Sequence, residues 1–187
     1  MLKQRIITAL VLLALLLPAL FAANPWPFMA LTVLMIAAGA WEWGRLNAMG
    51  PLWSWVGALV ALALCGLAQR SGWVQASPPQ LWLLAGAGWV LLGAWMIRRG
   101  VAAWALWPKT WRWLVGLCLL AMAWLAMAQA HQRGVNFLLS VLVLVWAADV
   151  FAYFFGRALG GHFVRVKLAP SISPGKSWEG VFGGCWA

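Results

Sequence analysis

The chain has 187 residues, of which 65% are hydrophobic and 9% are charged, and it carries a formal net charge of +10 at pH 7. Soluble domains contain about 25% charged residues, so this composition excludes a soluble protein and points to the lipid bilayer as the solvent. Against 13 Lys and Arg stand three acidic residues, Glu42, Asp149 and Glu179. A carboxylate at bilayer depth costs at least about 2.5 kcal/mol, so an acid that is kept there usually has a function.

Several apolar stretches follow one another along the chain, each of about 20 residues, the length that crosses the hydrocarbon layer as a helix. They are continuous and rich in Leu and Ala, and they lack the period-two alternation of membrane strands. The sequence therefore predicts an all-α, polytopic membrane helix bundle with six complete transmembrane helices and the start of a seventh. The predicted helices cover residues 6–23, 26–44, 52–68, 81–97, 112–130 and 135–156, and the seventh begins near residue 174.

The first apolar run follows Lys3 and Arg5 and ends among small residues, a pattern shared by cleaved signal peptides and retained signal-anchors. Five further spans favour the retained helix, and cleavage would leave the later topology unchanged. Of the 13 Lys and Arg residues, all except Arg70 and Arg133 fall on one side of the membrane in this predicted topology. Cytoplasmic loops carry an excess of Lys and Arg, so this side and the N-terminus are predicted to be cytoplasmic.

In this topology the three acids lie toward the cytoplasmic face. Glu42 is near the end of the second helix, Asp149 lies about 10 Å deep in the sixth, and Glu179 is in the first turns of the seventh. For Glu42, a simple ion pair with Arg45 is an open alternative.

A polar stripe is predicted on the sixth helix. Helical spacing places Trp146, Asp149 and Tyr153 on one face, with Gly156 and Arg157 one turn further on. Such a stripe is expected to face the bundle interior or a water-filled cavity. Asp149 is a candidate Mg²⁺ ligand, because this ion typically binds one or two carboxylates plus substrate phosphates. Tyr153 has the alternative role of a core or interface aromatic.

The loop after this helix contains a predicted turn at Gly160-Gly161 and then basic residues. Arg165 is explained by the positive charge of a cytoplasmic loop. His162 is interpreted as a surface histidine rather than a general base, because no carboxylate neighbours it in the sequence.

Residues 173–180 read SPGKSWEG. Ser173 fits the N-cap of the seventh helix and Pro174 its first position. A helix start presents free N–H groups that bind phosphate, and Lys176 adds a positive charge. Glu179, one turn into the helix, is predicted to hold a metal ion or to pair with Lys176.

Gly180 and Gly184 form a G-x-x-x-G pattern, which lets another helix pack closely. Together with the intramembrane Asp149 upstream, the segment indicates a phosphate and metal site at a membrane face.

An ordered set of residues within 148–184 closely resembles the phosphatidate cytidylyltransferase (CDP-diacylglycerol synthase) family. The upstream helices are hydrophobic, as in that family, but they would not identify it alone. The matching residues are Ala148-Asp149, Ala152-Tyr153, Phe155-Gly156-Arg157, Gly160, Lys167-Leu168-Ala169-Pro170, Ile172-Ser173-Pro174-Gly175-Lys176-Ser177-Trp178-Glu179-Gly180 and Gly183-Gly184.

The resemblance implies that phosphatidate attacks the α-phosphorus of CTP, giving CDP-diacylglycerol and pyrophosphate, with Mg²⁺ required. For this reaction we assign catalytic roles to Asp149, Lys176 and Glu179, with the two acids at the metal or its water shell. The predicted substrate-binding residues are Arg157, Lys167, Ser173, Ser177 and Tyr153. The expected partners are CTP, phosphatidate and the bilayer, and no nucleic acid. Formation of a homodimer is left as an open alternative. The expected location is a bacterial inner (cytoplasmic) membrane, with the active site on the cytoplasmic face.

The family also has a later signature, a Lys-Asp pair followed by Pro-Gly-His-Gly-Gly and an Asp-Arg-x-Asp ending. It is absent here, because the chain stops at Ala187 within an apolar span. We therefore expect an N-terminal fragment that is inactive alone. We treat 1–187 as one membrane-embedded domain, with N-terminal helices in 1–134 and part of the catalytic region in 135–187.

Two other functions compete with this interpretation. A small-molecule transporter predicts polar residues near the midplane and inverted repeats with broken helices. The polar groups here cluster toward one face instead, and no repeat is evident. A CTP-dependent polyprenol or lipid kinase is closer in chemistry, but it would leave no cytidine on the lipid.

Overall fold

The structure is a computed structural model that describes residues 2–164, 168, 173 and 175–186. These residues form seven α-helices and no strand, which confirms the all-α prediction. The helices are α1 (Leu2–Phe21), α2 (Trp26–Leu46), α3 (Pro51–Arg70), α4 (Pro79–Ala105), α5 (Lys109–Gln132), α6 (Val135–Leu159) and α7 (Trp178–Cys185).

By length and composition, five of these helices can cross a membrane. They are α2, α3, α5, α6 and the Pro79–Gly100 part of α4, while α1 carries a shorter apolar stretch, Ile6–Phe21. The chain is therefore a multi-pass membrane protein. The predicted six complete spans correspond to these five helices together with the shorter apolar stretch of α1. Helix α4 runs further than predicted but changes direction at Gly100, where φ is +71°. Glycine adopts this left-handed conformation at little cost because it lacks a Cβ atom.

The described chain divides into two compact units, Met1–Ser77 with Lys109–Leu138 and Pro78–Pro108 with Leu139–Ala187. The first unit contains α1, α2, α3 and α5. Its core is formed by Ala40, Ala61, Trp113 and Leu117, all of which are buried. The small residues let the helices approach closely: a Cβ atom added to Gly44 of α2 would lie 2.8 Å from the Cα atom of Ser54 in α3.

Trp43 joins α2 to the beginning of α5. Its indole N–H lies 3.2 Å from the Arg112 carbonyl oxygen and 3.3 Å from the Trp113 carbonyl oxygen, so one donor is shared between two acceptors. The indole ring lies over Gly116, and a Cβ atom added there would collide with it. The absence of a side chain at Gly116 therefore allows this contact.

We expect Gly116→Ala to destabilise the first unit by about 1–3 kcal/mol, because the new methyl group displaces Trp43 from its two acceptors. The measurement is the free energy of unfolding in detergent micelles, followed by circular dichroism. Gly66→Ala in α3 is the matched control, since nothing lies within 4 Å of its added Cβ atom. Equal stability of the two variants would contradict the packing described for Gly116.

Glu42 forms an ion pair with Arg45, with 3.8 Å between the charged atoms. This confirms the alternative that the sequence left open for Glu42. Both side chains are more than half exposed, and exposed pairs of this kind contribute about 0–1 kcal/mol. The Arg45 guanidinium also lies 4.9 Å from the centre of the Trp41 ring. We therefore interpret Glu42 as part of a surface ion pair.

Candidate active site

Within the second unit, α6 and α7 approach through glycines. A Cβ atom added to Gly180 would lie 2.8 Å from the Ala152 carbonyl oxygen and 3.4 Å from the Cα atom of Gly156. One added to Gly184 would lie 3.1 Å from the Ala148 carbonyl oxygen. The two backbones are thus in contact, which confirms the close helix packing predicted from the G-x-x-x-G pattern.

The seventh helix begins later than predicted. Its N-cap is Ser177, whose backbone is extended (φ −123°, ψ 161°) and whose hydroxyl accepts the Gly180 N–H at 3.3 Å. The predicted N-cap, Ser173, instead lies in a turn before the helix, where its carbonyl oxygen accepts the Lys176 N–H at 3.1 Å. The assignment of Ser173 as N-cap was therefore wrong, because the Ser177 hydroxyl satisfies the free N–H of the first turn. Pro174 lies outside the described residues.

Helix α6 ends in the turn that the sequence predicted. The Gly160 N–H still donates to the Gly156 carbonyl oxygen at 3.1 Å, and the His162 N–H donates to the Leu159 carbonyl oxygen at 3.0 Å. Gly161 has φ +86°, which glycine tolerates and which turns the chain back toward α7. The predicted turn at Gly160-Gly161 is confirmed.

Glu179 joins α7 to the loop that follows α6. Its Oε1 atom accepts the N–H groups of Gly161 at 3.2 Å, Phe163 at 3.1 Å and Val164 at 2.8 Å. The residue is only 4% exposed, and its Oε2 atom is buried without a hydrogen-bond partner among the described residues. Neighbouring N–H groups that converge in this way form an anion-binding concavity. Here the anion is the side chain of the protein itself.

The hydrogen bonds favour the ionised form of Glu179, which lies outside the five spanning helices. The pKa of this carboxyl is lowered from 4.5 to about 2, foremost by the Val164 N–H and further by its own N–H and those of Phe163 and Gly161. Burial acts in the opposite direction, but the hydrogen bonds outweigh it. Glu179 is therefore a carboxylate at neutral pH.

Asp149 lies at a different level of the α6–α7 pair. Its neighbour Ala148 contacts Gly184, whereas Glu179 contacts the loop that follows the C-terminal end of α6. The seven residues from Asp149 to Gly156 span about 10 Å of helix. Asp149 is exposed, and no group of three or more His, Cys, Asp or Glu side chains occurs in the described ranges. A metal site at Asp149 and Glu179 stays a prediction.

Two predicted substrate-binding residues contact each other on α6. The Arg157 guanidinium donates to the Tyr153 hydroxyl at 2.8 Å, and both side chains are exposed. This leaves them at the surface rather than inside a helix bundle.

The contacts of Ser177 bring the segment before α7 to the same end of α6 as Arg157. A Cβ atom added to Gly160 would lie 3.1 Å from the Ser177 hydroxyl oxygen, and one added to Gly156 would lie 3.5 Å from it. Lys176, next in the chain, has an exposed side chain. Lys167, predicted to contact phosphate, lies outside the described residues.

A pocket of about 390 Å³ lies beside Glu179 and was not predicted. Apart from Glu179 its walls are almost wholly apolar, formed by Phe155, Leu159, Phe163, Val164, Phe182, Gly183 and Trp186. The sequence does contain a pattern that indicates this pocket. Phe155 and Leu159 on α6 are four residues apart, as are Phe182 and Trp186 at α7, and residues at this spacing share a helix face. The amide donors to Glu179 were also missed, because backbone groups leave no mark in a side-chain pattern.

The sequence profile of the Cytidylyltransferase family matches residues 3–187 of the chain. Proteins named phosphatidate cytidylyltransferase are also similar to it. Identity is 38% over 192 residues in Pseudomonas aeruginosa, 34% over 204 in Haemophilus influenzae and 30% over 196 in Brucella abortus.

These alignments cover 98%, 98% and 100% of this chain and 66%, 69% and 64% of the relatives, respectively. The chain thus spans about two thirds of the length of the curated relatives it matches. No solved structure gives a significant match.

Proposed function

Because the chain belongs to the Cytidylyltransferase family, we propose that the protein transfers a cytidylyl group from CTP to phosphatidate. The observation that carries this proposal is the family match over residues 3–187, together with relatives named for that activity. The products are CDP-diacylglycerol and pyrophosphate. One substrate is lipid and the other is water-soluble, which suits a multi-pass membrane protein with charged groups at a helix end.

In this reaction a phosphate oxygen of phosphatidate forms a bond to the α-phosphorus of CTP. The bond from that phosphorus to the oxygen that bridges to the β-phosphate breaks, and pyrophosphate leaves with the bonding electron pair. Nothing is oxidised or reduced, and the total charge is unchanged when phosphatidate reacts as the dianion. Such chemistry depends on positioning and on the neutralisation of charge rather than on a protein nucleophile.

The proposed phosphate-binding groups are the exposed cations around the end of α6. Lys176 acts as a point charge, while Arg157 supplies a planar set of donors held by its hydrogen bond to Tyr153. Ser177 caps α7 and holds its first turn against α6, so its role is to fix the segment that carries Lys176. Ser173 accepts the Lys176 N–H and closes the turn before it. Lys167 stays in the proposal from its sequence position alone.

Mg²⁺ is the proposed cofactor, and Asp149 is the described acid that fits it. Its carboxylate is exposed, and one carboxylate together with substrate phosphates is a usual protein contribution to magnesium. When bound, the ion would neutralise charge that develops on the phosphates. Glu179 fits a direct ligand role less well, because its Oε1 atom accepts three N–H groups and its Oε2 atom is buried.

The proposed location is a bacterial inner membrane with the N-terminus and the active site on the cytoplasmic side. This rests on the distribution of Lys and Arg, which leaves only Arg70 and Arg133 on the opposite side. CTP is a cytoplasmic metabolite, so the orientation agrees with the substrate.

The test compares two labelled forms of CTP, supplied with phosphatidate to membranes from cells that overproduce the protein from its complete gene. We expect lipid to acquire label from α-³²P CTP and none from γ-³²P CTP, in a magnesium-dependent manner. A lipid kinase would transfer the γ label, and a transporter would transfer neither label. Either of those results would overturn the proposal.

A further inference from the structure

We propose that Glu179 is a positioning residue that fixes the loop of residues 161–164 (the 161–164 loop) and does not ligate the metal ion. The effect on CTP binding rests on the proposed function, whereas the anchoring of the loop does not. The hydrogen bonds from Gly161, Phe163 and Val164 to Oε1 carry the inference, together with the burial of Oε2.

The Oε1 atom is saturated. A carboxylate offers about four lone-pair sites over its two oxygens, and three N–H donors already converge on Oε1 alone. A metal ion at this oxygen would have to displace N–H groups from partly buried hydrogen bonds. Those groups would then lose hydrogen bonds to a charged acceptor, which are stronger than bonds to a neutral one.

The Oε2 atom is in the wrong surroundings for magnesium. It is buried, and the adjacent pocket is lined by side chains such as Phe155, Leu159 and Phe163 that offer no oxygen ligands. Magnesium demands a nearly octahedral shell at about 2.0–2.1 Å and usually keeps several waters. An apolar wall satisfies neither requirement.

The 161–164 loop benefits from such an anchor because ordering the glycines at its start costs conformational entropy. Gly160 and Gly161 lack side chains, and glycine loses more conformational freedom on folding than any other residue. Hydrogen bonds from a charged acceptor offset that loss. Glu179 lies at the beginning of α7, where the helix dipole also favours a negative charge.

The anchor fixes the spacing of exposed basic groups. His162 lies between two residues whose N–H groups are bound, and its side chain is exposed. Arg157 lies one turn before the loop on α6, and Lys176 lies three residues before Glu179. Glu179 thereby fixes the loop that carries His162 beside Arg157 and Lys176, the proposed phosphate-binding cations.

The test measures amide hydrogen exchange in peptides covering residues 160–165 of the protein, produced from its complete gene and purified into lipid nanodiscs. We expect Glu179→Ala to raise exchange of the 161–164 loop by at least about tenfold, because all three acceptor contacts are lost. Glu179→Gln keeps an oxygen at Oε1 and is expected to restore much of the protection. Asp149→Asn is the control and is expected to leave this exchange unchanged.

A second readout is the binding of radiolabelled CTP to the same samples at a series of magnesium concentrations. We expect Glu179→Ala to weaken CTP binding several-fold and Glu179→Gln to weaken it less, both without moving the magnesium midpoint, whereas Asp149→Asn moves the midpoint. The positioning role is overturned if Glu179→Ala leaves the loop protected, or if Glu179→Gln moves the magnesium midpoint as Asp149→Asn does. If the unaltered protein from the complete gene binds no CTP, the proposed function loses support, while the exchange result still decides the role of Glu179.

Discussion

Gly180→Ala is expected to separate α7 from α6 and to lower label transfer from CTP to lipid by about 100-fold or more. The added Cβ atom would meet two backbone groups, the Ala152 carbonyl oxygen and the Cα atom of Gly156, and neither can rotate away. Overpacking of this kind typically costs about 1–3 kcal/mol and is relieved by a backbone shift. A displacement of about 1 Å in a catalytic arrangement can reduce the rate about 100-fold.

The measurement is the initial rate with α-³²P CTP, normalised to the amount of folded protein in the membrane. Gly88→Ala in α4 is the matched control from the same unit, since open space surrounds its added Cβ atom. It is expected to retain the parental rate. A Gly180→Ala variant with unaltered activity would show that the contact between α6 and α7 does not set the geometry of the site.

Acid is expected to destabilise the protein through Glu179 between about pH 4.5 and pH 2. The pKa of this carboxyl is lowered from 4.5 to about 2 in the folded state, foremost by the Val164 N–H. The unfolded chain therefore binds a proton more readily than the folded chain in that interval. The contribution to stability is fully present above pH 4.5 and is lost as the pH falls toward 2.

The chain is well suited to this measurement because it has only three Asp and Glu residues. Free energies of unfolding at pH 6 and pH 3 are compared for the parent and for Glu179→Gln. The parent is expected to lose stability on acidification, and the variant is expected to lose markedly less. Glu42→Gln serves as the control, because its exposed ion pair is expected to contribute little. An identical loss in parent and Glu179→Gln would refute the role of the three loop N–H groups.

The helical architecture was predictable because it follows from hydrophobic length. Runs of about 20 apolar residues have few alternatives in a bilayer, where every backbone group needs an internal partner. The packing of Gly180 and Gly184 was predictable for a related reason, since small residues at this spacing permit backbone contact. The start of α7 was not, because Ser173 and Ser177 both fit an N-cap, and the sequence does not reveal that the Ser177 hydroxyl accepts the Gly180 N–H of the first turn.

The candidate site was predictable in its residues but not in their contacts. Asp149 and Glu179 were singled out because acids are scarce in this chain, and scarcity does not reveal what an acid contacts. The partners of Glu179 are backbone N–H groups whose convergence depends on the left-handed conformation of Gly161. The hydrogen bond between Tyr153 and Arg157 follows from their spacing of four residues, and it leaves their predicted roles toward substrate as predictions.

The break in α4 bears on the thickness of the membrane that this helix can cross. The segment Pro79–Gly100 has 22 residues, which at 1.5 Å per residue gives about 33 Å of helix. Arg98 and Arg99 directly precede Gly100, at which the chain changes direction. The residues after Gly100 therefore do not extend the apolar part of this helix. The helix is therefore long enough to cross a hydrocarbon layer of about 30 Å, and tilting is one way in which it would fit a thinner layer.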